Sequence, residues 1–188
     1  MVATAGDEHV QLIQHPVLPD LLFPVIKLET SAGDISVELD RRRAPVTVNN
    51  FLRYVTSGRY DGTVFHRVVA GFVVQGGGYK PGFGEIKLFP PIVNESGNGL
   101  KNSLRSIAMA RFDDPHSASS QFYFNLDDNT SLDPGRHWGY TVFGRVTAGW
   151  KTVEAIALVE TDYNEKLDAE DVPVKAVLLK KASVVKQK

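Results

Sequence analysis

The stretch Thr63–Gly78, TVFHRVVAGFVVQGGG, decides how the rest of the chain is read. Its aliphatic and aromatic residues suit a buried strand, yet it carries His66, Arg67 and Gln75. A guanidinium stays protonated in proteins, and an unpaired charge in apolar surroundings is costly. Side chains alternate between the two faces of a strand. Strict alternation puts Phe65, Arg67 and Val69 on one face and Val64, His66 and Val68 on the other. Ala70-Gly71 allows a bend, after which Val73 and Gln75 share a face opposite Phe72 and Val74. Alternation does not say which face is outside. From pattern alone, Arg67 is either half of a structural ion pair or part of a cleft in which something else needs it.

Working outward, Ile26 and Leu28 alternate with Lys27 and Glu29, and Ile35, Val37 and Leu39 alternate with Ser36, Glu38 and Asp40. The Gly-containing turn between them makes this a hairpin signal. Pro45 suits a first helical turn; Val48, Phe51, Leu52 and Val55 then recur at helical spacing until Gly58. Further strands are expected at Val64–Val69, Phe72–Gln75, Ser106–Arg111, Gln121–Leu126 and Tyr140–Val146. A second helix fits Trp150–Leu158, and a final strand fits Val174–Val185 after Pro173. Many short strands with only two helices predict a barrel or sandwich. Residues 1–24, with Pro16, Pro19 and Pro24, read as an N-terminal arm before one domain over 25–188.

The 188 residues, 43% apolar, are enough to bury one core. A formal net charge of −1 lacks the basic footprint of a nucleic-acid binder, and Arg41-Arg42-Arg43 reads as a solvated turn. With no cysteine, thiolate catalysis, disulfides and cysteine-ligated zinc are excluded. No apolar run approaches the ~20 residues of a membrane-spanning helix. Without a basic segment leading into an apolar one at the N-terminus, the expected compartment is the cytoplasm; a processed periplasmic form would read the same. No partner chain is demanded, so a monomer is expected.

Other chemistries lack their spacing. Gly76-Gly77-Gly78 and Gly82-Phe83-Gly84 do not open a helix as a nucleotide loop must. No G-x-S-x-G elbow accompanies His66, which reads as a packed, hydrogen-bonded imidazole. Asp113-Asp114-Pro115-His116 reads as a turn rather than a metal-ligand set, so neither metal nor cofactor is expected.

FHRVVAGFVVQGG at Phe65–Gly77 resembles the signature of the cyclophilin-type peptidyl-prolyl cis-trans isomerases. NGLKNS at Asn98–Ser103, IAMAR at Ile107–Arg111, SSQFYFNL at Ser119–Leu126 and YTVFGRV at Tyr140–Val146 continue the likeness in order. It spans roughly Val25 to Val185 and is closest to bacterial members. The resemblance implies a mainly β fold: a closed eight-stranded antiparallel β-barrel capped by two α-helices, with a filled interior and a groove on its outer surface. It implies an enzyme that assists folding by rotating Xaa-Pro bonds in proline-containing polypeptides. The catalytic residue so implied is Arg67. The substrate-binding positions are Phe72, Val73, Gln75, Ala110, Arg111 (through its backbone), Gln121, Tyr123, Leu132 and Tyr140. Tyr123 stands where the family often has Phe, Ser131 where eukaryotic members carry a tryptophan associated with cyclosporin, and Tyr140 where many have histidine. Weak or no cyclosporin binding is therefore expected. A non-catalytic module or holdase that grips proline segments is the alternative.

Overall fold

The structure, a computed structural model, describes residues 21–185. The expected arm therefore lies outside the described residues up to residue 20. Its last stretch is fastened to the body: Leu39 N–H donates to Pro24 O at 2.9 Å and Arg41 N–H to Leu22 O at 3.0 Å.

Ten strands follow: β1 Val25–Thr30, β2 Gly33–Leu39, β3 Thr63–Val69, β4 Val73–Tyr79, β5 Ser106–Met109, β6 Phe122–Asn125, β7 Val142–Ala148, β8 Thr161–Asn164, β9 Ala169–Pro173 and β10 Val177–Val184. Eight of them close an antiparallel barrel in the order β1-β10-β3-β4-β6-β5-β7-β2. Closure leaves no open sheet edge and fixes which side chains face in. The inward set includes Ile26, Leu28, Ile35, Val37, Leu39, Phe65, Val74, Ile107, Phe122, Phe124 and Phe143, all at most 1% exposed. The interior is thus a packed core, as expected.

Helix α1 (Pro45–Thr56) has its proline in the first turn, and α2 is Trp150–Ala157. Each buries the expected stripe in the same core: Val48, Phe51, Leu52 and Val55 from α1, Val153 and Ile156 from α2. The Phe51 ring lies 5.1–5.4 Å from the Tyr60, Phe143 and Phe122 rings, tilted against the first two and edge-on to the third. The start of α1 is closed from a distance. Glu95 accepts the N–H groups of Val46 and Thr47 at 3.1 and 2.8 Å, which satisfies orphan donors and sets an anion at the positive helix end.

Several expectations need correction. Phe65 and Arg67 do not share a face, because β3 carries a bulge. Phe65 pairs with Gly76 while Arg67 pairs with Gln75, and the extra residue, His66, reverses the alternation between them. Phe65 is core; Arg67 is outside. β4 does not stop at Gln75 but runs on through Gly76, Gly77 and Gly78 to Tyr79. Glycine is a weak strand former, but a Cβ at Gly76 would sit 2.8 Å from the Phe65 ring, so packing selects it. Arg41 is buried, and only Arg42 and Arg43 of the basic triplet are solvated. The last strand begins at Val177, while Pro173 ends β9. β8 and β9 form a separate two-stranded sheet that periodicity missed, since TDYN buries nothing fully and AEDVP only Val172 and Pro173 at its end.

Candidate active site

Four strand pairings place one row of side chains across the outside of the barrel. Arg67 on β3 stands opposite Gln75 on β4, Gln75 opposite Tyr123 on β6, Tyr123 opposite Ala108 on β5, and Ala108 opposite Val142 on β7. At ~4.8 Å per strand the row spans about 19 Å. Its apolar members form a cluster of their own, separate from the interior: Val73, Ala108, Tyr123 and Val142 are buried, and Phe72, Leu100, Ala110, Leu132 and Tyr140 pack around them. Phe72 joins Val73 here rather than opposing it, because it lies in the turn before β4 and escapes strand alternation. The result is a small hydrophobic hollow on the outer wall with Arg67 and Gln75 at one side.

Arg67 is half-buried, and its guanidinium makes no hydrogen bond or ion pair with another described residue. The structural ion pair left open by the pattern is therefore not seen among those residues. Gln75 is held: its Nε2 donates to Gln121 Oε1 at 2.8 Å. Beneath them His66 is 6% exposed and meets Tyr79 edge-on at 4.8 Å, with Nδ1 lacking a partner among the described residues. Burial lowers its pKa to about 4, so the imidazole is neutral and uncharged beside Arg67 at neutral pH.

The floor of the hollow is set by a polar network that the sequence reading missed. Tyr123 Oη donates to Asn102 Oδ1 at 2.8 Å, and Asn125 Nδ2 donates to the same oxygen at 3.2 Å. Asn102 Nδ2 in turn donates to Leu132 O at 3.2 Å and Asp133 Oδ1 at 3.1 Å, which ties the turn carrying Leu132 to the Tyr123 side. Asn129 Nδ2 donates to Phe72 O at 2.9 Å and fixes the opposite wall. The burial of Tyr123 raises its phenol pKa well above the ordinary value, so the hydroxyl remains a donor.

Ala110 N–H to Gln121 O, at 2.9 Å, is the last rung of the β5–β6 ladder, and Arg111 follows beyond it. The Arg111 side chain is a clamp: Nη1 donates to Phe112 O at 2.7 Å, Nη2 to Trp138 O at 2.8 Å and Nε to Gly139 O at 3.3 Å. Its guanidinium also lies 4.6 Å from the Tyr140 ring centroid. A recess of about 80 Å³ opens here, lined by Gln75, Ala110, Arg111, Phe112, Ser117, Ser119 and Gln121. The polar loop before it is a turn, with His116 N–H donating to Asp114 Oδ1 at 2.8 Å.

A family model described as cyclophilin type peptidyl-prolyl cis-trans isomerase/CLD matches residues 25–184. The chain belongs to the cyclophilin-type peptidyl-prolyl cis-trans isomerases. It is 48% identical over 165 residues to the peptidyl-prolyl cis-trans isomerase cyp18 of Streptomyces antibioticus, covering 85% of this chain and 98% of that one. Isomerase A of Dickeya dadantii is 44% identical, with 86% and 85% covered, and isomerase B of Escherichia coli is 40% identical, with 85% and 99% covered. A crystal structure of a cyclophilin-type isomerase from Cryptosporidium parvum, in the presence of the dipeptide Ala-Pro, matches with a TM-score of 0.74. That protein is 25% identical, and the match covers 87% of this chain and 99% of that one.

All ten positions singled out by the cyclophilin resemblance lie on this one outer patch. Phe72, Val73, Ala110, Tyr123, Leu132 and Tyr140 belong to the hollow, Gln75 and Gln121 bond each other, Arg67 stands beside Gln75, and Arg111 follows Ala110. The tyrosine at 123 is accommodated because its hydroxyl finds Asn102, whose place within NGLKNS carries no local sign of that role. Ser131 sits exposed in a 3-10 turn, Thr130–Leu132, beside the hollow.

Proposed function

We propose that this isomerase works by seating the proline ring of an Xaa-Pro segment in the hollow of Phe72, Val73, Tyr123 and Leu132 while Arg67 stabilises the twisted imide bond. The observation that carries this reading is a permanently charged donor, without an internal partner among the described residues, beside the one apolar hollow on the outer row. The Cryptosporidium relative examined in the presence of Ala-Pro supports the choice of proline as occupant.

Rotation about a peptide bond faces a barrier of ~18–20 kcal/mol because it breaks amide conjugation. In the twisted state the proline nitrogen regains its lone pair and accepts a hydrogen bond. A donor fixed near that nitrogen stabilises the twisted state more than either planar isomer, which is the condition for catalysis. Arg67 suits the task, since its guanidinium is planar, always charged and set in partly dry surroundings that strengthen the interaction. Gln75, locked by Gln121, and the open backbone at Arg111 hold the flanking peptide by strand-like pairing. Lowering the barrier by roughly 7 kcal/mol accelerates exchange about 10⁵-fold. No nucleophile, metal or cofactor enters these steps. Exposed Ser131 offers cyclosporin no aromatic surface, which supports weak affinity for that drug.

Exchange of an Ala-Pro peptide between cis and trans, followed by NMR, tests the assignment. Arg67→Ala is expected to lower kcat/KM by about 10²–10³-fold, the size expected for one preorganised donor, with an unchanged circular dichroism spectrum. An undiminished rate in the folded variant removes Arg67 from the mechanism.

A further inference from the structure

We propose that the cleft beside the proline hollow is an extension of the substrate groove that favours acidic residues flanking the Xaa-Pro bond; this rests on the isomerase reading above. The cleft holds about 390 Å³. Its floor includes Leu100 and Val142, and both also belong to the apolar cluster of the hollow. A chain leaving the hollow across these two side chains enters the cleft directly. Four cations line it: Arg42, Arg43, Lys101 and Arg145, with side chains 58%, 50%, 64% and 71% exposed.

Two carboxylates, Glu38 and Asp40, line it as well and Asp133 lies beside Lys101; Asp40 and Asp133 are already committed to local backbone and amide groups. Asp40, only 19% exposed, accepts the backbone N–H groups of Arg42 and Arg43 at 3.2 Å each, so it closes the turn that carries them. The two guanidiniums approach it no nearer than 4.0 and 3.9 Å. Asp133 is 11% exposed and is held by Asn102 N–H at 2.8 Å, while Lys101 reaches it only at 3.5 Å. Glu38 is the exception, accepting one bond from Arg145 Nη2 at 3.3 Å. Arg42 further rests on the Phe23 ring at 4.6 Å, which steadies its stem without using a donor. Asp40 and Asp133 are thus spent mainly on local backbone and amide groups, and the four cations, each meeting an acid only at 3.3–4.0 Å, keep further donors turned outward. A guanidinium offers five donors that match a carboxylate. The apolar floor and charged rim together fit a polypeptide segment with aspartate or glutamate side chains.

The test uses the full chain and three peptides built on the same Ala-Pro core: neutral flanks, glutamate within five residues on both sides, and lysine at the same positions. Rates are measured by NMR exchange at low salt and again at about 500 mM, where exposed charges are screened. The expected order of kcat/KM is acidic, neutral, basic, with about 3- to 10-fold between acidic and neutral, as several exposed pairs would give. High salt is expected to remove the difference. Replacing Arg42, Arg43, Lys101 and Arg145 together by Ser should remove it too, with the rate on the neutral peptide unchanged. Should that variant fold poorly, Arg145→Glu alone is expected to reverse part of the preference. Equal rates on all three peptides, or a preference that survives both salt and substitution, overturns the cleft assignment while leaving the isomerase reading intact. Failure to turn over the neutral peptide would instead sink both.

Discussion

The same strands present two different surfaces, and the contrast separates what holds the fold from what does the chemistry. Inside the barrel, Val68, Val74, Phe124 and Ile107 follow one another across β3, β4, β6 and β5. All four are apolar, at most 2% exposed, and their rings and branches interlock. Outside, one residue along each strand, the row reads Arg67, Gln75, Tyr123 and Ala108. Here polar groups stand beside apolar ones and only part of the row is covered. The inner row is satisfied by itself; the outer row leaves a hollow and a cation to be completed by a ligand.

The contrast predicts separable failures. Phe124→Ala opens a void in a core where its ring has neighbours at Phe122 (5.8 Å) and Phe65 (6.4 Å). A loss of about 3–5 kcal/mol is expected, read as a lower urea midpoint with unchanged slope. Activity per folded molecule should survive, the reverse of the outcome expected for Arg67→Ala. If the rate fell in step with the stability, the two faces would not be independent.

His66 lies at the boundary between those faces, and its titration should measure how dry that boundary is. Its folded pKa of about 4 is below the ordinary 6.5, so the unfolded chain binds the proton more readily. Stability is therefore full above the unfolded value and declines as pH falls from about 6.5 towards 4. The loss from this one group is about 3 kcal/mol at most. Urea midpoints for the wild type and His66→Leu between pH 7 and 4 check it: the difference between the two curves should carry that slope. Parallel curves would mean the imidazole reaches solvent.

How far the sequence revealed this division depended on what each residue signals locally. The barrel strands and both helices were legible because burial imposes a period, as in Ile35, Val37 and Leu39 or in Val48, Phe51, Leu52 and Val55. The side on which Arg67 emerges was not, since one bulged residue at His66 reverses the count and nothing in FHR marks it. Phe72 was misplaced for a related reason: a turn residue obeys no strand alternation. The roles of Asn102, Asn125 and Asn129 were hidden because amides that meet across loops leave no period at all. Family motifs located the patch, and the register then showed how its members share one row.

Gly78 offers the finest test of the division, because it lies on β4 yet acts on the outer row. A Cβ there would sit 2.8–2.9 Å from Gln121 Cγ, Cδ and Nε2. The backbone at Gly78 needs no left-handed conformation, so alanine is admissible for the strand, and the flexible Gln121 side chain is what must yield. Once displaced, Gln121 Oε1 can no longer accept from Gln75 Nε2 at 2.8 Å, and the amide opposite Arg67 loses its anchor. Gly78→Ala is therefore expected to lower kcat/KM about tenfold, or about 1.4 kcal/mol, mainly through KM, with the thermal midpoint nearly unchanged. Gln121→Ala should give a similar loss, and adding Gly78→Ala to it should cost nothing further, since both act on one contact. Full additivity would show that the glycine serves the strand itself, and the inner surface would then reach the groove through β4.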